Sequence, residues 1–102
     1  MNLRRGDVFW ADLGYKMRPY LVVQTDAINQ NSNCTMVVPL TTKMEKLYPT
    51  SAVICWGSIK PSVAKCAHIL SVQVDPAWSA IEHLPPQIMD HVDMALRSAI
   101  GV

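Results

Sequence analysis

Arg18 ends a short basic loop, Gly14-Tyr15-Lys16-Met17-Arg18-Pro19, just ahead of an apolar run, and Thr41 closes a later run with Thr42 and Lys43 behind it. If the loop folds over a sheet, Arg18, Thr41 and Lys43 converge. A guanidinium offers a bidentate fork and a threonine hydroxyl one donor, a combination suited to holding a phosphate. The competing reading is a surface arginine and a strand-capping threonine. Cys66 and His68 form a second grouping, which alternation places on one face of a strand. Two such ligands without a second pair make a poor zinc site, and a core thiol beside a satisfied imidazole is the simpler account, with a Cys–His nucleophile as the alternative. The chain contains no H-E-x-x-H, Walker or G-x-S-x-G motif. No metal and no cofactor is expected.

These residues must be positioned by short strands. Asp7–Leu13 is rich in strand formers, and Tyr20–Gln24 is a continuous apolar run whose strand is expected to begin at Pro19. Thr25–Asn33 is polar and turn-like. Cys34–Thr41 is a third strand, with Pro39 marking an edge or a bulge. Thr42–Thr50 is expected as a loop. Ser51–Trp56, Ser62–Lys65 and Cys66–Val72 are expected as further strands. The end of the chain is different. Pro85-Pro86 suits a helix start, and Ile88, Met89, Val92, Ala95, Leu96, Ala99 and Ile100 then recur on one face of a helix that Gly101 stops. Many short strands with regular turns, followed by one amphipathic helix, predict a small barrel or sandwich-like sheet with a helix packed on it.

The 102 residues make one domain, 50% of them hydrophobic and only 17% charged. That composition excludes a disordered chain, and its low charge points to apolar surface covered by a partner, hence to an oligomer. No apolar run approaches the roughly 18 residues needed to cross a bilayer, and Met1-Asn2-Leu3-Arg4-Arg5 lacks the apolar stretch of a signal peptide. Three cysteines without C-x-x-C spacing fit a reducing compartment better than a disulfide framework. The net charge of +1 hides an asymmetry. Residues 1–65 carry eight basic and four acidic side chains, a net of +4, and residues 66–102 carry one against four, a net of −3. A basic front hints at an anionic partner.

Taken together, Arg5-Gly6-Asp7-Val8-Phe9-Trp10-Ala11-Asp12-Leu13, the step Arg18-Pro19-Tyr20-Leu21-Val22-Val23-Gln24, the strand closing on Thr41, and the acidic amphipathic stretch Met89–Leu96 resemble the MazF/PemK family of toxins over nearly the whole chain. The resemblance implies an SH3-like barrel of short antiparallel strands with a C-terminal amphipathic helix, a single domain over residues 1–102 that forms a homodimer. It implies a toxin of a type II toxin–antitoxin system, located in the cytoplasm and away from membranes. Such a toxin is a sequence-specific endoribonuclease that cuts single-stranded mRNA without a metal, leaving 2′,3′-cyclic phosphate and 5′-hydroxyl ends. A cognate antitoxin inhibits it by laying a flexible tail along the substrate groove.

The family's catalytic arginine falls on Arg18 and its catalytic threonine on Thr41. Lys16, Pro19, Thr42, Lys43 and His68 are the candidate RNA contacts around them. The substrate's own 2′-hydroxyl can attack phosphorus, so the protein need supply only charge stabilisation: Arg18 for the phosphoryl oxygens and Thr41 as a hydrogen-bond donor. The general base stays unassigned, with His68 as the imidazole considered for it. Two departures from the family stand out: the loop between Leu13 and Arg18 is short, and His68 and Leu70 stand where relatives often carry Gln and Arg. The alternatives are a non-catalytic toxin of the same fold, such as a gyrase poison, or a plain nucleic-acid-binding barrel with Lys16, Lys43 and Lys46 on phosphates. The intact Arg18 and Thr41 favour the nuclease.

Overall fold

The computed structural model describes residues 1–44 and 46–102; Glu45, in the segment expected as a loop, lies outside the described residues. The chain runs β1 (Asp7–Asp12), β2 (Met17–Val22), α1 (Asp26–Asn29), β3 (Cys34–Thr41), β4 (Ser51–Ile54), β5 (Ser62–Lys65), a 3₁₀ turn (Cys66–His68), β6 (Leu70–Gln73), β7 (Glu82–His83) and α2 (Pro86–Ile100). All pairings are antiparallel, in the order β4-β5-β3-β2-β1-β7, with β6 also on β3. The result is the mostly β half-barrel with a C-terminal helix that the residue pattern predicts.

Strand β3 is the hub. Cys34–Val37 pairs with β6, Leu40 and Thr41 pair with β5, and Val38 and Pro39 have no partner on that side. Pro39 lacks an N–H, so it costs no ladder hydrogen bond at the seam between two partners. The strand's other edge pairs with β2 through Val22↔Val37, Leu21↔Val38 and Tyr20↔Pro39.

Alternation along these strands builds two cores. Val8, Leu21, Val38, Leu40, Ile54, Ala64 and Cys66 face one side and meet Met89, Val92 and Ala95 of α2. Phe9, Ala11, Tyr20, Val22 and Val37 face the other, with Leu3 from the N-terminal arm, and Trp78 packs against them at 5.0 Å from the Phe9 ring. Helix α2 begins at the expected prolines and ends on Gly101, whose φ of 78° is left-handed and whose N–H closes on the Arg97 carbonyl at 2.8 Å.

Three sequence expectations change. β2 begins at Met17, two residues earlier than Pro19, so Arg18 is a strand residue paired with Ala11. Cys66–His68 winds into a 3₁₀ turn rather than opening a strand. The polar stretch after Gln24 forms the single helical turn α1.

The Arg5-Gly6-Asp7 tripeptide is a junction. Arg5 donates from its backbone N–H to Asp26 (2.7 Å) and from Nε to the Val23 carbonyl (3.0 Å), and its guanidinium pairs with Asp93 of α2. Asp7 is buried, accepts the Arg4 N–H at 2.8 Å and pairs with Nδ1 of His83 at 2.7 Å. Behind it, Asn29 is 2% exposed and bridges the amide of Gln24 (2.9 Å), the Gln24 carbonyl (2.9 Å) and the Thr35 hydroxyl (2.8 Å). Truncating Asn29 leaves those groups buried and unpaired. Asn29→Ala is therefore expected to lower the unfolding free energy by about 2–4 kcal/mol in urea denaturation. The Arg5 N–H, Asn29 and the nearby arginines hold the Asp26 carboxyl below its ordinary value of 3.8, against the opposing effect of burial. That stability is present above pH 3.8 and lost as pH falls through the lowered value, so Asp26→Asn is expected to flatten the acid limb of stability against pH.

Candidate active site

A cavity of about 670 Å³ opens at the mouth of the half-barrel, lined by Trp10, the β2 entry Lys16–Pro19, the end of β3 with Thr42 and Lys43, and the β4–β5 connection. Its position follows from the backbone. Val23 donates to the Met36 carbonyl at 3.0 Å, so alternate β2 residues, Leu21 and then Pro19, turn their nitrogens toward β3. Pro19 has no proton to donate. The β2–β3 ladder accordingly stops at Tyr20↔Pro39. Continuing the register two residues further sets Arg18 opposite Thr41 on one face, with no ladder between them.

The side chains at this opening are unspent. Arg18 is half-buried, and its Nε is buried without a hydrogen-bond partner. Its guanidinium lies 5.6 Å from the centre of the Tyr15 ring, a cation–π contact that leaves its N–H edges free. Among the described residues no carboxylate pairs with it. Tyr15 is carried by a tight turn in which Asp12 Oδ1 accepts the N–H groups of Gly14 (2.9 Å) and Tyr15 (3.0 Å). Thr41 accepts the Lys43 N–H at 3.2 Å, which fixes its hydroxyl oxygen and leaves its O–H free to donate.

Arg18, Thr41 and Lys43 therefore line one cavity, as their types and spacing suggest, and Lys16, Pro19 and Thr42, named with the family resemblance, line it too. His68 does not: it is exposed at the end of the 3₁₀ turn and absent from this lining. Nor do Cys66 and His68 share a strand face. Cys66 is buried in the core, and burial, with a smaller contribution from Asp93, pushes its thiol up to about 11, unsuited to nucleophilic work. Lys46 lies over the Tyr48 ring and outside the cavity lining.

The structure adds Lys60 and Lys65, from either side of β5, to the same lining. With Lys16, Arg18 and Lys43 they make five cations, and among the described residues no Asp or Glu lines the cavity. One sequence signal could have found them: no acidic residue occurs between Lys46 and Val74. Five cations without counter-charge repel one another unless a polyanion lies among them. The arrangement can grip a phosphodiester and stabilise extra charge on its non-bridging oxygens.

Comparison with known proteins agrees with this architecture. Residues 4–100 match the family of PemK-like, MazF-like toxins of type II toxin–antitoxin systems. The chain is 31% identical to the endoribonuclease EndoA of Bacillus subtilis, spanning 100% of this chain and 97% of that protein. It is 28% identical to the endoribonuclease MazF4 of Mycobacterium tuberculosis over 96% and 92% of the two chains. Its backbone superposes with a TM-score of 0.87 on a mycobacterial endoribonuclease solved in complex with its cognate antitoxin, at 25% identity over 98% and 96% of the two chains. A TM-score of 0.81 at 20% identity relates its fold to a chain of the MazE–MazF structure from Deinococcus radiodurans, over 100% and 98% of the two chains. By the match over residues 4–100, the chain belongs to the PemK-like, MazF-like toxin family of type II toxin–antitoxin systems.

Proposed function

We propose that this protein is a sequence-specific, metal-independent endoribonuclease toxin that cuts single-stranded RNA in the cavity between β2 and β3. The observation that carries the reading is the buried Nε of Arg18, which has no partner in a cavity with five cations and no carboxylate among its described lining residues. An unsatisfied buried donor costs about 1–3 kcal/mol, which a phosphate oxygen would recover. A lining of cations suits a phosphodiester, and its described residues offer no carboxylate to hold a divalent ion.

The reaction then runs on the substrate's own nucleophile. The ribose 2′-oxygen forms a bond to the neighbouring phosphorus and loses its proton, while the bond from phosphorus to the 5′-oxygen breaks and that oxygen gains a proton. The products are a 2′,3′-cyclic phosphate and a 5′-hydroxyl. Arg18 meets the negative charge that builds on the phosphoryl oxygens, and the free O–H of Thr41 donates to one of them. Lys16, Lys43, Lys60 and Lys65 hold the strand through flanking phosphates. His68 lies away from this cavity and is given no step.

The protein acts as a homodimer in the cytoplasm and is held in check by a cognate antitoxin. A likeness to a mycobacterial endoribonuclease solved with its antitoxin supports that partner. Exposed Leu47, Tyr48, Val53 and Met94 support a covering mate.

The test is to incubate the protein with a long single-stranded RNA in EDTA and map the ends. Discrete cuts ending in 2′,3′-cyclic phosphate are expected, with Arg18→Ala slower by about 10²–10³-fold and still folded by circular dichroism. Random degradation, a need for added metal, or full activity in Arg18→Ala would overturn the reading. A second expectation concerns the lysines found only in the structure. Lys60→Ala and Lys65→Ala should each weaken RNA binding across all sequences and reduce the slope of log affinity against log salt by about 0.7. Titrations at several ionic strengths check this.

A further inference from the structure

We infer that Trp10 is a base-stacking platform, a subsite for one nucleobase beside the phosphate held by Arg18. This rests on the reading of the cavity as an RNA site and names what its apolar part does. Along β1, Val8 and Trp10 point to the same side of the sheet. Val8 is fully buried in the core, whereas Trp10, one step further along that row, is 49% exposed at the cavity mouth. Its cross-strand neighbour is Pro19, which follows Arg18 directly. Met17 (60% exposed) and Ile81 (41% exposed) line the cavity with it. Phe9, Tyr20 and Trp78 all have aromatic partners, and no aromatic ring or hydrogen-bond acceptor engages Trp10 among the described residues. The indole N–H has no acceptor among the described residues, and about half of the residue is open to solvent.

The indole lies half in water at the cavity mouth, where a ligand entering the cavity can cover it. The described lining of the same cavity holds five cations and no carboxylate. A ligand that is polyanionic along its length and flat and apolar at intervals is a single-stranded nucleic acid. Stacking on an aromatic face is how such strands are gripped beside a cationic track. An apolar peptide would suit Trp10, Met17 and Ile81 and leave the cations unanswered; a bare polyphosphate would do the reverse.

The test uses a short RNA with a 2′-deoxy nucleotide at the mapped cut, so that binding is read without cleavage. Fluorescence anisotropy is measured for the full-length wild type, Trp10→Ala and Trp10→Phe, each shown to be folded by thermal melting. The same oligonucleotide is also made with an abasic residue at each position in turn. Trp10→Ala is expected to weaken binding by about 10- to 100-fold and Trp10→Phe to recover most of it. One abasic position should weaken the wild type by a similar factor and add little further loss to Trp10→Ala. That shared loss identifies the base on the indole. Equal affinity of Trp10→Ala and wild type overturns the inference, as do losses that add at every abasic position. A Trp10→Ala loss accompanied by a lower mass in sedimentation would place the indole in a subunit contact instead, and also overturns it. If wild type neither binds nor cuts RNA, the reading of the cavity falls first; if wild type cuts and Trp10→Ala is unchanged in binding, only the base subsite falls.

Discussion

A missing amide proton determines where the β2–β3 ladder ends and where the cavity opens. β2 and β3 are paired as far as Tyr20↔Pro39, and the next nitrogen that should donate to β3 belongs to Pro19. The ladder ends there while both strands continue. In an uninterrupted ladder, Arg18 and Thr41 would be an ordinary cross-strand pair. Here the strands part, a cavity opens between them, and both side chains project at its mouth in register. The rigid part of the sheet thus sets the spacing of the two proposed catalytic groups, and the opened part leaves the gap in which the proposed phosphate would sit. Groups held in this way need little reorganisation when charge develops, which is where electrostatic stabilisation gains most of its effect.

The second constraint is charge. Elsewhere some of the described charges have partners: Arg5 pairs with Asp93, Asp7 shares a hydrogen bond with His83, and Asp26 accepts the Arg5 amide. At the cavity five cations gather with no carboxylate among the described lining residues, and the buried Nε of Arg18 goes unpaired. That concentration of like charge is a cost to stability which a bound polyanion would remove. The near-zero net charge of the chain conceals this, because it sums eight acidic residues against nine basic ones, and none of the described acids lines the cavity.

Much of this was legible in the residues. The alternating runs showed β1, β2, β3 and β5, and the stripe from Ile88 to Ile100 showed α2 with its proline start and glycine stop. The convergence of Arg18, Thr41 and Lys43 on one cavity was legible because the chain places them at the ends of consecutive strands, and antiparallel pairing brings such ends together; Lys16, Pro19 and Thr42 came with the family resemblance. Other features depend on contacts that run between distant parts of the chain. Lys60 and Lys65 reach the cavity only because β5 pairs with the last two residues of β3. Cys66 and His68 read as strand by alternation, yet the backbone turns there so that Cys66 can enter the core beneath α2 while His68 remains outside. α1 forms because Asn29 satisfies polar groups on Gln24 and Thr35, a tertiary demand that local composition does not display.

The central claim is that one phosphodiester sits between Arg18 and Thr41. The most direct measurement is a crystal structure of the wild-type protein with an RNA made uncleavable by a 2′-deoxy nucleotide at the cut site. The account predicts a phosphate with one oxygen within hydrogen-bond distance of Arg18 Nε and another accepting from the Thr41 hydroxyl. A strand bound elsewhere on the molecule, or one that crosses the cavity with neither group on its phosphates, would contradict it.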